Sequence, residues 1–205
     1  PVPLRRAVRY VTEACEGLRE AHQLGIWHRD LKPSNLFLSA DASGRGVIKI
    51  LDFGLAKLTE EGSSNLTDAG AVMGTPAYMS PEQIKGLATT DARSDVWSLG
   101  VTLYELLTAR LPFEDTNATK TAHVVLASPP APLARPGLEL PPGLEDIVGR
   151  CLVKDPNGRI QTADALLSLL RPFASSEPEP VISLVAKPPP PGDRTAQLPQ
   201  RERVS

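Results

Sequence analysis

Two acids and an amide stand at spacings that could handle phosphate. The run His28-Arg29-Asp30-Leu31-Lys32-Pro33-Ser34-Asn35 is followed, seventeen residues after Asn35, by Asp52-Phe53-Gly54. Between them lie two short β-like stretches, Leu36 to Leu38 and Val47 to Leu51, joined by the turn-rich Ser39 to Gly46, which predicts a small hairpin. Both acids and the amide converge on that hairpin. An acid at its mouth can serve as general base, and an amide oxygen with a second carboxylate makes a pair of hard oxygen donors suited to Mg²⁺.

With Ser80-Pro81-Glu82 further on, these blocks resemble the protein kinase family, whose signature runs from a catalytic loop through Asp-Phe-Gly to Ala-Pro-Glu. Gly74-Thr75-Pro76-Ala77-Tyr78-Met79, Asp95-Val96-Trp97-Ser98-Leu99-Gly100 and Arg159 after Asp155-Pro156 fit the same resemblance. Within that family the chain resembles the bacterial eukaryotic-like (Hanks-type) serine/threonine kinases. The fold it implies is mainly α with a small β hairpin, an α+β C-terminal lobe over residues 1–173, followed by a proline-rich tail over 174–205. Two departures are mild: Ser80 stands where Ala is usual, and Ile160 where Pro often follows the Arg, and neither is expected to touch the chemistry.

The resemblance implies roles residue by residue. Asp30 would accept or orient the proton of the substrate hydroxyl, Lys32 would neutralise the transferring phosphoryl, and Asn35 with Asp52 would hold Mg²⁺, with ATP as co-substrate. Lys32 and Thr75 match the members that act on serine or threonine of proteins. Glu82 would pair with Arg159, and Asp95 would hold the backbone of the catalytic loop. Arg29 would receive a phosphate on the loop between Asp52 and Glu82, with Thr67 the favoured site ahead of Ser63 and Ser64, while Thr75, in the stretch that receives substrate and contacts Asp30 and Lys32, would be structural. His28 is expected to be structural, and His22 and His123 to be surface or packed imidazoles.

The family's other lobe supplies a glycine-rich loop over the phosphates, a strand Lys and a helix Glu, and none of the three is read here. Gly44-Arg45-Gly46-Val47-Ile48-Lys49 imitates part of that set, but it lies where the hairpin belongs and lacks a third glycine. The expectation is a C-terminal lobe whose partner lobe belongs to a parent protein, inactive in isolation. The competing expectation is a non-catalytic interaction module that binds a protein through the groove around Thr75 and the helices after Leu111.

The elements that must position these residues are mostly helical. Leu4, Val8, Val11, Cys15 and Leu18 step by four and three, predicting an amphipathic helix that ends near Gly25. From Asp95 to Thr108 only Ser98, Thr102 and Glu105 interrupt apolar residues, so that helix should be a core axis. Leu144, Ile147, Val148 and Cys151 form another stripe. A last one, Ala163, Leu166, Leu167 and Leu170, follows Thr162, with Asp164 suited to the helix N-terminus. Six prolines between Pro129 and Pro142 read as a rigid internal connection. Eight of the 21 prolines follow Arg171, including Pro188 to Pro191, and predict a tail that is disordered or polyproline II.

Composition sets the remaining bounds. With 22 Lys+Arg against 24 Asp+Glu, the net charge of −2 gives no basic field for nucleic acid. Two cysteines in helical patterns read as buried thiols in a reducing cytoplasm, not as a disulfide or metal set. No apolar run approaches the ~18 residues that a membrane helix needs, and no apolar h-region follows the charges at the N-terminus, so a cytoplasmic chain is expected.

Overall fold

The computed structural model describes residues 1–42, 44–53, 75–86, 90–134 and 139–174. Gly54, Ser63, Ser64, Thr67, Gly74, part of the internal proline cluster (135–138) and all of the tail beyond Ala174 lie outside them.

Helix α1 (Leu4–Gln23) carries the predicted stripe: Ala7, Val8, Val11, Ala14, Cys15 and Leu18 are fully buried, and Leu4 is half-buried. It stops where Gly25 turns left-handed (φ 72) and the Gly25 and Ile26 amides fold back onto the carbonyls of His22 and Ala21. The hairpin follows as β1 (Leu36–Ala40) and β2 (Gly46–Ile50), antiparallel, with Leu36 opposite Ile50 and Ala40 opposite Gly46. Leu51, expected in the second strand, lies just beyond the ladder, where its N–H instead donates to Asn35 O at 2.9 Å. A two-stranded ribbon is marginal by itself. Here α1 supports it, since β2 packs on α1 and the Glu13 carboxylate accepts the Ile48 N–H at 2.8 Å. The glycine-rich imitation of a phosphate loop is thus the turn and start of β2.

Two short elements precede the core helix: a 3₁₀ turn (Pro76–Tyr78) and α2 (Pro81–Ile84). Helix α3 (Ala92–Thr108) begins three residues before the expected Asp95, because Asp91 caps it by accepting the Arg93 N–H. It is buried on nearly every side, with Val96, Trp97, Leu99, Val101, Leu103, Tyr104 and Leu107 in the core. Gly100 lets α5 (Leu144–Cys151) approach closely: a Cβ at Gly100 would stand 2.5 Å from the Cys151 Cβ. Helix α4 (Ala118–Ala127) packs on the Pro76–Tyr78 turn, and α6 (Ala163–Leu170), capped by Thr162 at 3.0 Å from the Ala165 amide, packs on α1.

Both cysteines are buried. Burial pushes both thiols up, Cys151 to about 12, so neither offers a thiolate near neutral pH. Among the described residues no helix is long and apolar enough to cross a membrane.

Candidate active site

The His28–Asn35 loop is fastened from below by α3. The buried carboxylate of Asp95 accepts the His28 N–H on Oδ2 and the Arg29 N–H on Oδ1, each at 2.9 Å. His22, near the end of α1, donates from Nε2 to the same Oδ2 at 2.9 Å. His22 is therefore packed, as one of the two sequence readings had it, but with a partner 73 residues away that no local pattern announces. Arg29 takes a left-handed backbone (φ 63), a conformation of ~1 to 3 kcal/mol for a residue with a Cβ, and Asp95 holds its amide there.

His28, expected to be structural, is fully buried. Its Nδ1 accepts the Asp30 N–H at 3.2 Å, which leaves Nε2 to carry the hydrogen and donate to Leu51 O at 2.9 Å. The ring also meets Phe53 at 5.0 Å. One imidazole thereby joins the backbone on both sides of the hairpin. Because Leu51 N also donates to Asn35 O, the chain leaves β2 beside Asn35 and places Asp52 one residue further on. Asp52 is exposed and also left-handed (φ 53).

Around Asp30 the polar groups converge. Lys32 Nζ donates to Asp30 Oδ2 at 2.9 Å, and Asn35 Nδ2 donates to Asp30 O at 2.8 Å with a longer approach of 3.4 Å to Oδ2. The Asp30 side chain is 32% exposed and that of Lys32 24%, so both are held by the loop yet reachable. Fixing Asn35 Nδ2 on Asp30 turns its Oδ1 the other way, as a hard donor. The Asn35 amide oxygen and the exposed Asp52 carboxylate are hard oxygen donors of the kind that suits Mg²⁺.

The other predicted residues fall into a second, buried network. Arg159 reaches Glu82 with Nη1 at 2.8 Å and Nη2 at 3.1 Å, and also donates to Arg93 O at 2.7 Å and Val153 O at 3.1 Å. Ser94 Oγ adds a 2.7 Å bond to Glu82. Burial pushes the Glu82 carboxyl up, but the Arg159 bonds and charge, with Ser94, outweigh it and hold it below the usual carboxylate range. Arg159 also stacks on Trp97 (5.1 Å), which lies parallel to Phe113, and Lys154 sits over Phe113 at 3.8 Å. Thr75 is exposed at the start of the Pro76–Tyr78 turn, and among the described residues no hydrogen bond joins it to Asp30 or Lys32. Sequence reasoning missed Gln83, which links this region to the His28–Asn35 loop, and Tyr78, whose hydroxyl donates to Glu105 at 2.6 Å.

A base-like carboxylate under an ammonium, an amide and a carboxylate at the hairpin, and a buried Glu–Arg pair behind them form the C-terminal lobe architecture of protein kinases. Residues 2–169 match the protein kinase domain family, and the chain belongs to that family. It is 40% identical over 163 residues to the serine/threonine-protein kinase PknB of Mycolicibacterium smegmatis, covering 80% of this chain and 25% of that protein. It is 40% identical over 175 residues to serine/threonine-protein kinase pkn3 of Myxococcus xanthus, covering 83% and 32%, and 42% identical over 173 residues to pkn2 of the same organism, covering 83% and 21%. The chain spans about a fifth to a third of the length of these relatives.

Proposed function

We propose that this chain is the substrate-side lobe of a serine/threonine protein kinase, moving the γ-phosphoryl of ATP to a protein hydroxyl. The observation that carries this reading is the Asp30 carboxylate, backbone-anchored through His28 and Asp95 and joined by Lys32 at 2.9 Å. As the acceptor oxygen bonds to the γ-phosphorus and the bond to the β-phosphate oxygen breaks, the hydroxyl proton passes to Asp30 and ADP leaves. Lys32, already on the Asp30 carboxylate, lies where it can shift toward the charge on the transferring group. Asn35 and Asp52 would hold Mg²⁺, which when bound neutralises phosphate charge.

The activity needs a second lobe, on the same polypeptide or another, to supply a lid over the phosphates and the paired Lys and Glu; residues 1–205 alone should bind ATP poorly. Arg29, at the catalytic loop, is proposed to receive a phosphate on Thr67, with Thr75 contacting substrate. With an N-terminal lobe of a close relative fused ahead of Pro1, Mg²⁺-dependent transfer to a protein Ser or Thr should appear. Asp30→Asn should then lower kcat by roughly 10²- to 10⁴-fold, and Asp52→Ala should abolish transfer. A two- or threefold loss at Asp30 would mean that it is not the base.

A further inference from the structure

We infer that Gln83 is a positioning residue: its side-chain amide clasps the peptide between Arg29 and Asp30 and ties the end of the substrate-side segment to the proposed base. This deepens the kinase reading and rests on it for the role of Asp30. Gln83 Nε2 donates to Arg29 O at 2.7 Å across 54 residues of sequence. Gln83 Oε1 accepts both the Ser80 N–H (3.0 Å) and the Ser80 hydroxyl (3.1 Å), and the Gln83 N–H approaches Ser80 Oγ at 3.4 Å. Two donors on the oxygen and a carbonyl facing the nitrogen fix which way the amide points, since a flipped amide would set oxygen against oxygen and nitrogen against a donor. Ser80 is fully buried, so its hydroxyl must find partners inside, and Gln83 is the partner it finds.

Arg29 is thereby gripped at both ends of a left-handed residue: Asp95 from α3 holds its N–H, and Gln83 from α2 holds its C=O. The C=O of Arg29 and the N–H of Asp30 share one peptide plane, and that N–H is the group on His28 Nδ1. Rotating this plane would move the Asp30 carboxylate, so releasing Gln83 removes one of the two restraints that set it. Serine at position 80, read from sequence as a mild departure, is here the fixed end of the clasp: its backbone N–H and hydroxyl hold the amide oxygen so that the nitrogen faces the loop.

The alternative is that Gln83 does no more than cap the four-residue helix α2. Gln83→Glu separates the two roles. A carboxylate still accepts from Ser80 N–H and Oγ–H, so the cap survives, but it has no hydrogen to give Arg29 O and sets oxygen against oxygen. The measurement is amide hydrogen exchange at Arg29 and Asp30 in the 205-residue chain, which needs no phosphotransfer. Gln83→Glu and Gln83→Leu should both speed exchange there by roughly five- to tenfold, the scale of one lost bond to a carbonyl, whereas Ser80→Ala should perturb α2 more than the loop. In the lobe-completed protein Gln83→Glu should lower kcat several-fold and leave the KM for ATP within about twofold, because the adenine and phosphate contacts are not its own. Wild-type exchange at both amides in Gln83→Glu, with Gln83→Leu faster, would overturn the clasp in favour of a cap. Faster exchange without any Asp30-dependent turnover would keep the clasp and refute the kinase reading instead.

Discussion

Removing Arg159 is the most severe single change that the structure predicts outside the apolar core. Its guanidinium is fully buried and serves one carboxylate and several carbonyls, so Arg159→Ala leaves the Glu82 carboxylate, 4% exposed, without its counter-charge. Breaking a buried pair from one side costs about 3 to 5 kcal/mol. At about 2 to 4 °C per kcal/mol for a chain of this size, melting should fall by roughly 6 to 20 °C. Glu82→Ala should cost a similar amount, and the double alanine variant should be less harmful than the sum of the two by up to ~3 kcal/mol. The apolar pair Glu82→Leu with Arg159→Met should recover much of the loss, since no charge is left alone. Recovery should be incomplete, because the carbonyls of Arg93 and Val153 lose their donor.

The pH dependence carries a sign that packing alone would not produce. In the native chain Glu82 titrates below its ordinary value, so its contribution to stability is complete above that value and fades as pH falls through the lower, folded one. In Arg159→Ala the counter-charge and its bonds are gone and burial, the largest effect, is opposed mainly by the Ser94 bond, so acid protonates the carboxyl more readily than in the native chain. The gap between variant and wild type should therefore narrow as pH is lowered from 7 toward 4 in urea titrations. A cost below about 1 kcal/mol, or additivity within ~0.5 kcal/mol in the double variant, would refute the reasoning.

Three further outcomes follow from single contacts. Burial, then the Arg159 charge, lowers the Lys154 ammonium to about 8, so the native state sheds this proton before the unfolded chain does. Stability relative to Lys154→Met should rise with pH from about 8 toward the ordinary value of 10.5, and a flat difference in urea midpoints would contradict the placement. Gly100→Ala should cost roughly 1 to 3 kcal/mol by overpacking against α5, and a Cys151→Ala background should leave that cost in place, because the obstacle is the Cys151 Cβ. Cys151, its thiol pushed to about 12, should resist a disulfide reagent at pH 8 until urea is added; fast reaction of the native chain would place it nearer the surface.

What the sequence made legible depended on how far apart the cooperating residues lie. Helices α1, α3, α5 and α6 announce themselves through stripes that repeat every three or four residues, and the hairpin through turn residues between two short apolar runs. Helix α4 has no comparable signature, because Ala118 to Ala127 mixes Thr, Val and Ala with Lys120 and His123, and its cap Asn117 is one of several polar residues before it. Asp30, Asn35 and Asp52 are legible from their own chemistry, as two acids and an amide at the two ends of one short hairpin. Lys32, Asp95, Glu82 and Arg159 are reachable only because a family resemblance names such roles.

Where the resemblance is silent, distance hid the partnership altogether. His22 and Asp95 lie 73 residues apart, and Gln83 and Arg29 54 apart, yet both pairs close on the same loop. The reason is physical: a left-handed residue before a carboxylate does not hold itself there. It must be held from elements that have their own reasons to fold, the core helix α3 on one side and the capped turn α2 on the other. Such supports are ordinary polar residues at unremarkable positions, and only the three-dimensional register reveals them. Ser80 shows the consequence, since a position judged by its neighbours in sequence reads as a neutral replacement of a small residue. Judged by what its hydroxyl and N–H grip, it aims the amide that holds the Arg29–Asp30 peptide.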